Sequence, residues 1–335
     1  MIDLNRKRYL DPIAYKWLGW IKGFINQKHT NGFKPSLAVG DKTLHFQTHE
    51  EKLKFLCRQN VFKYSKSKKE QRYYFRLLDI LWKNIDYIIL ATPPQIEDMM
   101  EIWLKRKSLA CKYLKQLSGI LEPYYEKVAD KYGGKLVSEL GIKTCPYCNR
   151  QFIHAFKGQQ FERPELDHFF PKANYPIFCL SFYNLIPVCH SCNHVKREKK
   201  IGVNPYHNAF KSTFIITDKK DNKISKSKIY HLAEKEIRLR FENPTPKEQE
   251  NIAILGLEDV YDKHTDYVKE LIDKSMAYDT YARKALVESF QGAGWHPRQV
   301  YDFVWGRHLM NAEYEDRPLS KLTKDILDLL DIRRG

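Results

Sequence analysis

The fold is decided by residues 145–200, which read CPYCNRQFIHAFKGQQFERPELDHFFPKANYPIFCLSFYNLIPVCHSCNHVKREKK. Two C-x-x-C pairs stand near its ends, Cys145 with Cys148 and Cys189 with Cys192. A gap of two residues lets both thiolates of a pair turn toward one metal, and two such pairs complete a tetrahedral site. The sequence therefore predicts a structural zinc ion held by these four cysteines, with 40 residues housed between the pairs.

The whole chain is strongly basic. Its 335 residues include 57 Lys+Arg and 41 Asp+Glu, which gives a formal net charge of +16. Such an excess favours a polyanionic partner, most simply nucleic acid, and the alternative is a solvated basic surface without a specific partner. A hydrophobic fraction of 43% excludes wholesale disorder, and the chain is long enough to bury a core without disulfides.

Neither a membrane segment nor a secretion signal is evident. No apolar stretch approaches the ~20 residues that span a bilayer, and the first residues lack a secretory apolar region. We therefore expect a cytoplasmic protein without membrane association. In a reducing compartment the paired cysteines indicate metal binding, and Cys57, Cys111 and Cys179 are expected to be ordinary buried thiols.

Periodicity divides the chain into three regions. Residues 1–140 are predicted to be mainly helical. Apolar residues recur at intervals of three and four residues in EQRYYFRLLDILWKNIDYIIL and in QIEDMMEIWLKRKSLACKYLKQLSGIL. A third helix should stop at Gly133-Gly134. Residues 141–206 form the cysteine-rich module. Residues 207–335 should hold a hairpin in FIITDKKDNKISKSKIYHL, then helices that include EKEIRLRFE. The predicted class is α+β: a mainly helical protein with a central zinc-stapled ββα-metal module.

A basic run, FKYSKSKKEQR, occupies residues 62–72. It is either the solvated end of a helix or a patch that contacts phosphate groups, and the sequence leaves both open.

Inside the module the sequence predicts the order strand, strand, helix. RQFIHAF and the segment that ends in ELDHF should pair as a hairpin, and Pro171 should end the second strand. The helix would begin in CHSCNHVKREKK.

Four pieces of this module, CPYC, ELDHFFPK, YNLIPV and CHSCNHVK, resemble the HNH endonucleases in their order and spacing. The resemblance covers Cys145 to Lys200. The family pattern of a first His, a middle Asn and a final His or Asn falls on His168, Asn184 and Asn193. It implies a metal-dependent nuclease that cuts DNA and leaves a 5′-phosphate.

The resemblance gives each residue a role. His168 would be the general base, since a neutral imidazole suits that task near pH 7. Asp167 and Asn193 would offer oxygen ligands to Mg²⁺ or Mn²⁺, and a final Asn favours these ions over a catalytic zinc. Asn184 would be a scaffold residue that bridges backbone groups. Singly, these residues also fit a satisfied His, a turn Asp or a helix cap.

Basic residues beside the module are candidate phosphate contacts. Lys196, Arg197, Lys199 and Lys200 are predicted to continue the helix and line one flank, and Lys172 and His194 lie near the predicted base. A solvated helix end is the alternative for each of them.

The helical flanks resemble, in architecture, the HNH nuclease subunit of Septu-type anti-phage defence systems. That resemblance implies an ATPase partner, and a homo-oligomer is also compatible with the flanks. Two other functions fit the sequence: a non-catalytic zinc module that binds nucleic acid, and a helical adaptor with a structural zinc. The sequence does not distinguish DNA from RNA as the substrate.

Overall fold

A computed structural model describes residues 2–4, 10–27, 36–39, 41–103, 108–157, 161–162, 164–306 and 308–332 of the protein. Over these ranges the chain is mostly helical with small antiparallel two-stranded sheets, which agrees with the predicted α+β class. None of the described helices combines the length and the apolar character needed to cross a membrane. The division at residues 140 and 206 stays a prediction.

The N-terminal region is a helical layer with one hairpin. Strands β1 (Ser36–Val39) and β2 (Lys42–His45) pair with Ser36 opposite His45. The helices are α1 (Leu10–Ile25), α2 (His49–Tyr64), α3 (Lys68–Lys83), α4 (Ile85–Leu90), α5 (Pro93–Trp103), α6 (Leu109–Lys115) and α7 (Ser118–Leu140).

The helices of this region begin and end at other residues than the sequence predicts. The first predicted helix is divided at Asn84 into α3 and α4. The expected stop at Gly133-Gly134 is wrong, because α7 continues to Leu140 and ends at Gly141, whose φ of 60° suits a residue without a side chain. Gly133 is buried inside α7, so packing outweighs its low helix propensity.

The central segment contains the predicted strands, but they pair differently. Its elements are β3 (Phe156–Lys157), β4 (Phe161–Glu162), β5 (Glu165–His168), β6 (Leu185–Val188) and α8 (His190–Lys196). The predicted hairpin is present only near its turn, where β3 pairs with β4 and Phe156 lies opposite Glu162. The ELDH residues themselves do not pair with RQFIHAF, which corrects the prediction. Strand β5 pairs with β6, so that Glu165 lies opposite Val188 and His168 opposite Leu185. The order strand, strand, helix is therefore formed by β5, β6 and α8.

The C-terminal region differs most from its prediction. Strand β7 (Phe214–Thr217) pairs along its length with β8 (Arg238–Phe241). With the residues just after the predicted turn it forms an isolated antiparallel bridge, Thr217 opposite Lys223. The segment EKEIRLRFE was expected to be helical, yet it contributes β8, where burial alternates along the strand. The helices are α9 (Lys226–Ile229), α10 (Pro246–Leu255), α11 (Leu257–Tyr261), α12 (Thr265–Ala277), α13 (Thr280–Gly292), α14 (Pro297–Trp305) and α15 (Ser320–Leu329).

Both flanking regions donate hydrogen bonds to the turn that carries Cys145 and Cys148, which is called the first cysteine turn below. On the N-terminal side, the Ile2 amide donates to the Pro146 carbonyl at 2.9 Å. On the C-terminal side, the Asn149 carbonyl accepts from the Leu319 amide at 2.6 Å, and its side chain accepts from the Lys321 amide at 3.1 Å. Asn149 is buried with a φ of 50°, a conformation that asparagine tolerates better than most residues.

Helix α7 positions the edge of the central sheet. The Tyr125 hydroxyl donates to the Leu166 carbonyl of β5 at 3.2 Å. The loop before β6 is held from α1 and α4: the Trp17 indole donates to the Leu180 carbonyl at 2.9 Å, and the Ser181 hydroxyl donates to the Ile88 carbonyl at 2.6 Å. The N-terminal helices therefore form the frame on which β5 and its following loop are set.

Candidate metal centre and adjoining cleft

The four predicted zinc ligands come together. Cys145 and Cys148 lie on the first cysteine turn. Cys189 is the N-cap residue of α8, and Cys192 lies in the first helical turn of α8. All four are buried, and their sulfur atoms lie within 4.8 Å of one another. Sulfur atoms around a tetrahedral zinc would be about 3.8 Å apart, given Zn–S bonds of ~2.3 Å, and Cys148 Sγ lies 3.9 Å from Cys189 Sγ.

The chemistry of the cluster fits a soft divalent metal. The hydrogen bond from Cys145 lowers the pKa of Cys148, whereas burial raises the pKa of Cys145 well above its ordinary value. The Arg150 amide also points at Cys148 Sγ at 3.4 Å. Four buried thiols cannot all ionise beside one another without a cation, and an all-cysteine set selects zinc over oxygen-preferring ions. The cluster can therefore hold a structural metal such as zinc.

Asp167 lies in a buried hydrogen-bond network. Its Oδ2 accepts from the Tyr147 hydroxyl at 2.6 Å, and its Oδ1 accepts from Lys196 Nζ at 3.1 Å. Lys196 also donates to the His168 carbonyl at 2.8 Å. Burial raises the pKa of Asp167 and lowers the pKa of Lys196, while their mutual attraction opposes both shifts.

This network corrects one prediction and changes another. Lys196 is 0% exposed, so its predicted contact with phosphate is wrong. Asp167 is only 3% exposed, and both of its oxygens already have partners. Its surroundings do not fit the predicted role of an open ligand for Mg²⁺ or Mn²⁺.

His168 is held in one tautomer. Its Nε2 lies 3.0 Å from the Cys179 carbonyl oxygen, which can only accept, so Nε2 carries the hydrogen and Nδ1 carries the lone pair. The ring packs edge-on against Tyr125, with centroids 4.5 Å apart. Burial lowers the pKa of His168 to about 3, so the imidazole is neutral at pH 7.

Asn184 ties together the loop that surrounds His168. Its Oδ1 accepts from the Phe170 amide at 2.7 Å, and its Nδ2 donates to the carbonyls of Phe170 at 3.2 Å and Phe178 at 3.0 Å. Phe170 follows His168 closely, and Phe178 precedes the Cys179 carbonyl that orients the imidazole. The fully buried amide thus fixes both ends of this loop.

Glu165 was missed in the sequence. Its Oε2 accepts from Asn193 Nδ2 and its Oε1 contacts His190 Nδ1, both at 2.6 Å. Because a carboxylate only accepts, the amide of Asn193 is turned so that its Oδ1 points away from Glu165. The signal was available: residues two apart on a strand share a face, so Glu165 had to lie on the same face as Asp167.

An open cleft of about 470 Å³ brings five of the predicted site residues together, namely Asp167, His168, Lys172, Asn193 and Arg197. It is lined by Glu122, Tyr125, Glu165, Leu166, Asp167, His168, Pro171, Lys172, Ala173, Asn193, Arg197 and Glu198. Lys172 lies at its edge, 3.5 Å from Glu122 and 5.2 Å from the centre of the Tyr125 ring. Asn184 lies outside the cleft as a buried neighbour of the loop.

The remaining basic residues are not arranged along one helix flank. Helix α8 ends at Lys196, and Arg197 turns the backbone with a φ of 48°. Lys199 and Lys200 therefore do not continue the helix, which corrects the predicted row of contacts. Lys200 pairs with Glu97 at 3.1 Å. His194 is exposed, with its ring 5.8 Å from that of His190.

Comparison with known proteins finds no counterpart: no family model matches the chain, and no curated protein or solved structure matches it.

Proposed function

We propose that the cleft hydrolyses phosphodiester bonds of DNA, and that the protein is an endonuclease of the HNH class. The observation that carries the proposal is the state of His168: a neutral imidazole at the wall of an open cleft, with Nε2 bound to a carbonyl and Nδ1 left as the basic nitrogen. Four further features support it, namely the cysteine cluster, the bridging amide of Asn184, the ββα order and the positive charge of the chain.

The chemistry assigned to His168 is proton removal from water. Nδ1 takes a proton as the water oxygen forms a bond to phosphorus, and the bond from phosphorus to the 3′ oxygen breaks. The Cys179 carbonyl then accepts a hydrogen bond from the imidazolium at Nε2. A phosphate anion in the cleft raises the pKa of the imidazole toward the working range, because an opposite charge favours the protonated form.

A divalent cation such as Mg²⁺ or Mn²⁺ would neutralise the phosphate when bound. Glu165 and Asn193 line the cleft and offer oxygen donors, as do Glu122 and Glu198. Asn193 stays in the proposed role, with Glu165 in place of Asp167. Asp167 instead links β5 to α8 and to the first cysteine turn.

The experiment compares plasmid cleavage by the unmodified protein, by His168→Ala and by His231→Ala, with Mg²⁺ and with Mn²⁺. His231 is an exposed histidine outside the cleft and serves as the control. We expect His168→Ala to lose cleavage at least a thousandfold, with its zinc content and melting temperature retained. Cleavage that survives in His168→Ala would refute the assignment.

A non-catalytic zinc module that binds nucleic acid is the second candidate. The observation that favours it is the Asp167–Lys196 pair, which occupies the carboxylate expected to bind the catalytic ion. DNA binding without cleavage by the unmodified protein would favour this function. The ATPase partner, the role in anti-phage defence and the acceptance of RNA are proposals that rest on the sequence alone.

A further inference from the structure

The corner between α2 and α3 concentrates positive charge. Six exposed cations lie on the last turn of α2, in the connection and along α3. They are Lys63, Lys66, Lys68, Lys69, Arg72 and Arg76. Among the residues that the structure describes, none of the six makes an ion pair. Their charges are therefore left to solvent or to a partner.

The sole acidic residue in residues 62–76, Glu70, is used inside the corner. Its carboxylate accepts from the Ser65 hydroxyl at 2.7 Å. The Ser65 carbonyl accepts from the Gln71 side chain at 2.6 Å, and Ser67 caps α3. The connection is thus fixed by hydrogen bonds, and its one negative charge takes part in them.

The placement of two of these cations opposes helix electrostatics. Lys68 and Lys69 lie in the first turn of α3, where the helix dipole favours negative groups. Cations that repel one another at a positive helix end are stabilised when an anion binds there.

Aromatic side chains are interleaved with the cations. Phe62, Tyr64 and Tyr73 are 54%, 42% and 42% exposed. On α3, Lys69, Tyr73 and Arg76 follow one another at spacings of four and three, so they share one face of the helix. An aromatic ring between two cations is the arrangement by which proteins bind a base and its flanking phosphates.

We propose that the α2–α3 corner, defined by Phe62 to Arg76, binds single-stranded DNA. Exposed rings can stack on bases that are free of a partner strand, whereas duplex bases are already stacked. A membrane surface fits less well, because interfacial helices turn an apolar face outward and the apolar side of α3 is buried through Leu77, Leu78 and Leu81. This surface binds whether or not the cleft cuts DNA.

The test measures fluorescence anisotropy of a labelled 20-nucleotide oligothymidine, with the same length of duplex and with anionic lipid vesicles as competitors. All proteins carry His168→Ala, so that cleavage does not interfere. Lys69→Gln/Arg72→Gln/Arg76→Gln removes three charges from the corner. Lys219→Gln/Lys220→Gln/Lys228→Gln removes three exposed charges elsewhere and is the matched control. Tyr73→Ala tests stacking at unchanged charge.

We expect the corner variant to weaken oligothymidine binding at least tenfold and to reduce the slope of log K against log salt by about 2, since each contact to a single strand contributes ~0.7. Tyr73→Ala should weaken binding about fivefold or more with an unchanged slope. Equal losses in the two triple variants would overturn the inference. So would stronger competition by duplex or by vesicles than by the oligonucleotide itself. Plasmid cleavage is measured separately, so failure of the nuclease proposal leaves these outcomes distinguishable.

Discussion

Two carboxylates of β5, those of Asp167 and Glu165, contact α8, and their contacts differ in almost every respect. Asp167 pairs with Lys196 in the interior, where neither side chain is appreciably exposed. Glu165, two residues earlier on the same face, binds Asn193 at the cleft. The helix offers these partners three residues apart, which matches a two-residue step on the strand. The inner contact holds the strand and helix together, while the outer contact leaves oxygen atoms accessible to solvent.

This comparison shows that burial, and not residue type, distinguishes the carboxylate with a structural role from the carboxylate that stays available for chemistry. The aspartate next to a histidine attracts attention in the sequence, yet its charge is already compensated by a lysine. The less conspicuous glutamate keeps its access to the cleft. Four predictions test this difference.

The largest effect is expected from loss of the cysteine cluster, on which both contacts depend. Cys148→Ser should release the metal and unfold the central segment, because zinc contributes on the order of 10 kcal/mol to small all-thiolate folds. The measurement is zinc content together with thermal unfolding. Cys111→Ala, a buried thiol outside the cluster, should retain one zinc per chain. A Cys148→Ser protein that kept its zinc and its melting temperature would show that the cluster is not the anchor.

The inner contact should matter next. Lys196→Met leaves Asp167 as a buried carboxylate without its cation, and breaking a buried pair costs about 3–5 kcal/mol. Urea unfolding measures the loss in free energy of unfolding. The double variant Asp167→Asn/Lys196→Met removes both charges and should recover part of it. If the double variant is no more stable than Lys196→Met, the pair is not the source of the effect.

The pH dependence of stability separates His168 from its neighbour Asp167. Because the folded pKa is about 3 and the unfolded value is ~6.5, the unfolded state binds the proton first as pH falls. The stability is therefore present above about pH 6.5 and decreases below it, by about 1.5 kcal/mol between pH 6.5 and 5. Urea midpoints over this range should fall less steeply in His168→Gln. An identical slope in that variant would place the titrating group elsewhere.

The smallest effect on stability is expected at the outer contact. Glu165→Gln removes an exposed charge, so the free energy of unfolding should change by less than about 1 kcal/mol. Binding of Mn²⁺, followed by electron paramagnetic resonance, should nevertheless weaken at least tenfold. Asp167→Asn should show the reverse pattern, with a larger loss of stability and a smaller loss of Mn²⁺ binding. Equal Mn²⁺ affinity in Glu165→Gln and the unmodified protein would exclude Glu165 as a ligand.

The sequence was most informative where chemistry constrains spacing. The two cysteine pairs could be located because thiolate geometry around one metal leaves few arrangements, whereas the position of the bridging amide followed from the resemblance to the HNH endonucleases. Strand pairing was harder to predict. Strand β5 could pair with the nearer RQFIHAF or with β6 across a longer loop, and tertiary contacts from α1, α4 and α7 favour β6. Strand β8 was hidden because Arg and Glu around it favour helices, while its four residues are too few to show a clear alternation.

Burial was the other quantity that the sequence could not supply. Lys196 was grouped with its basic neighbours because composition does not reveal that one lysine in the run points inward. The position of Glu165 followed from strand alternation, but its partners His190 and Asn193 depend on how α8 packs on β5.

The hydrogen bonds that the C-terminal region makes to the first cysteine turn have a consequence for biosynthesis. Asn149 receives its hydrogen bonds from residues 319 and 321, and Thr144 donates to the Glu315 carbonyl at 3.1 Å. These partners leave the ribosome some 170 residues after the turn itself. The first cysteine turn therefore acquires these contacts only late in synthesis of the chain.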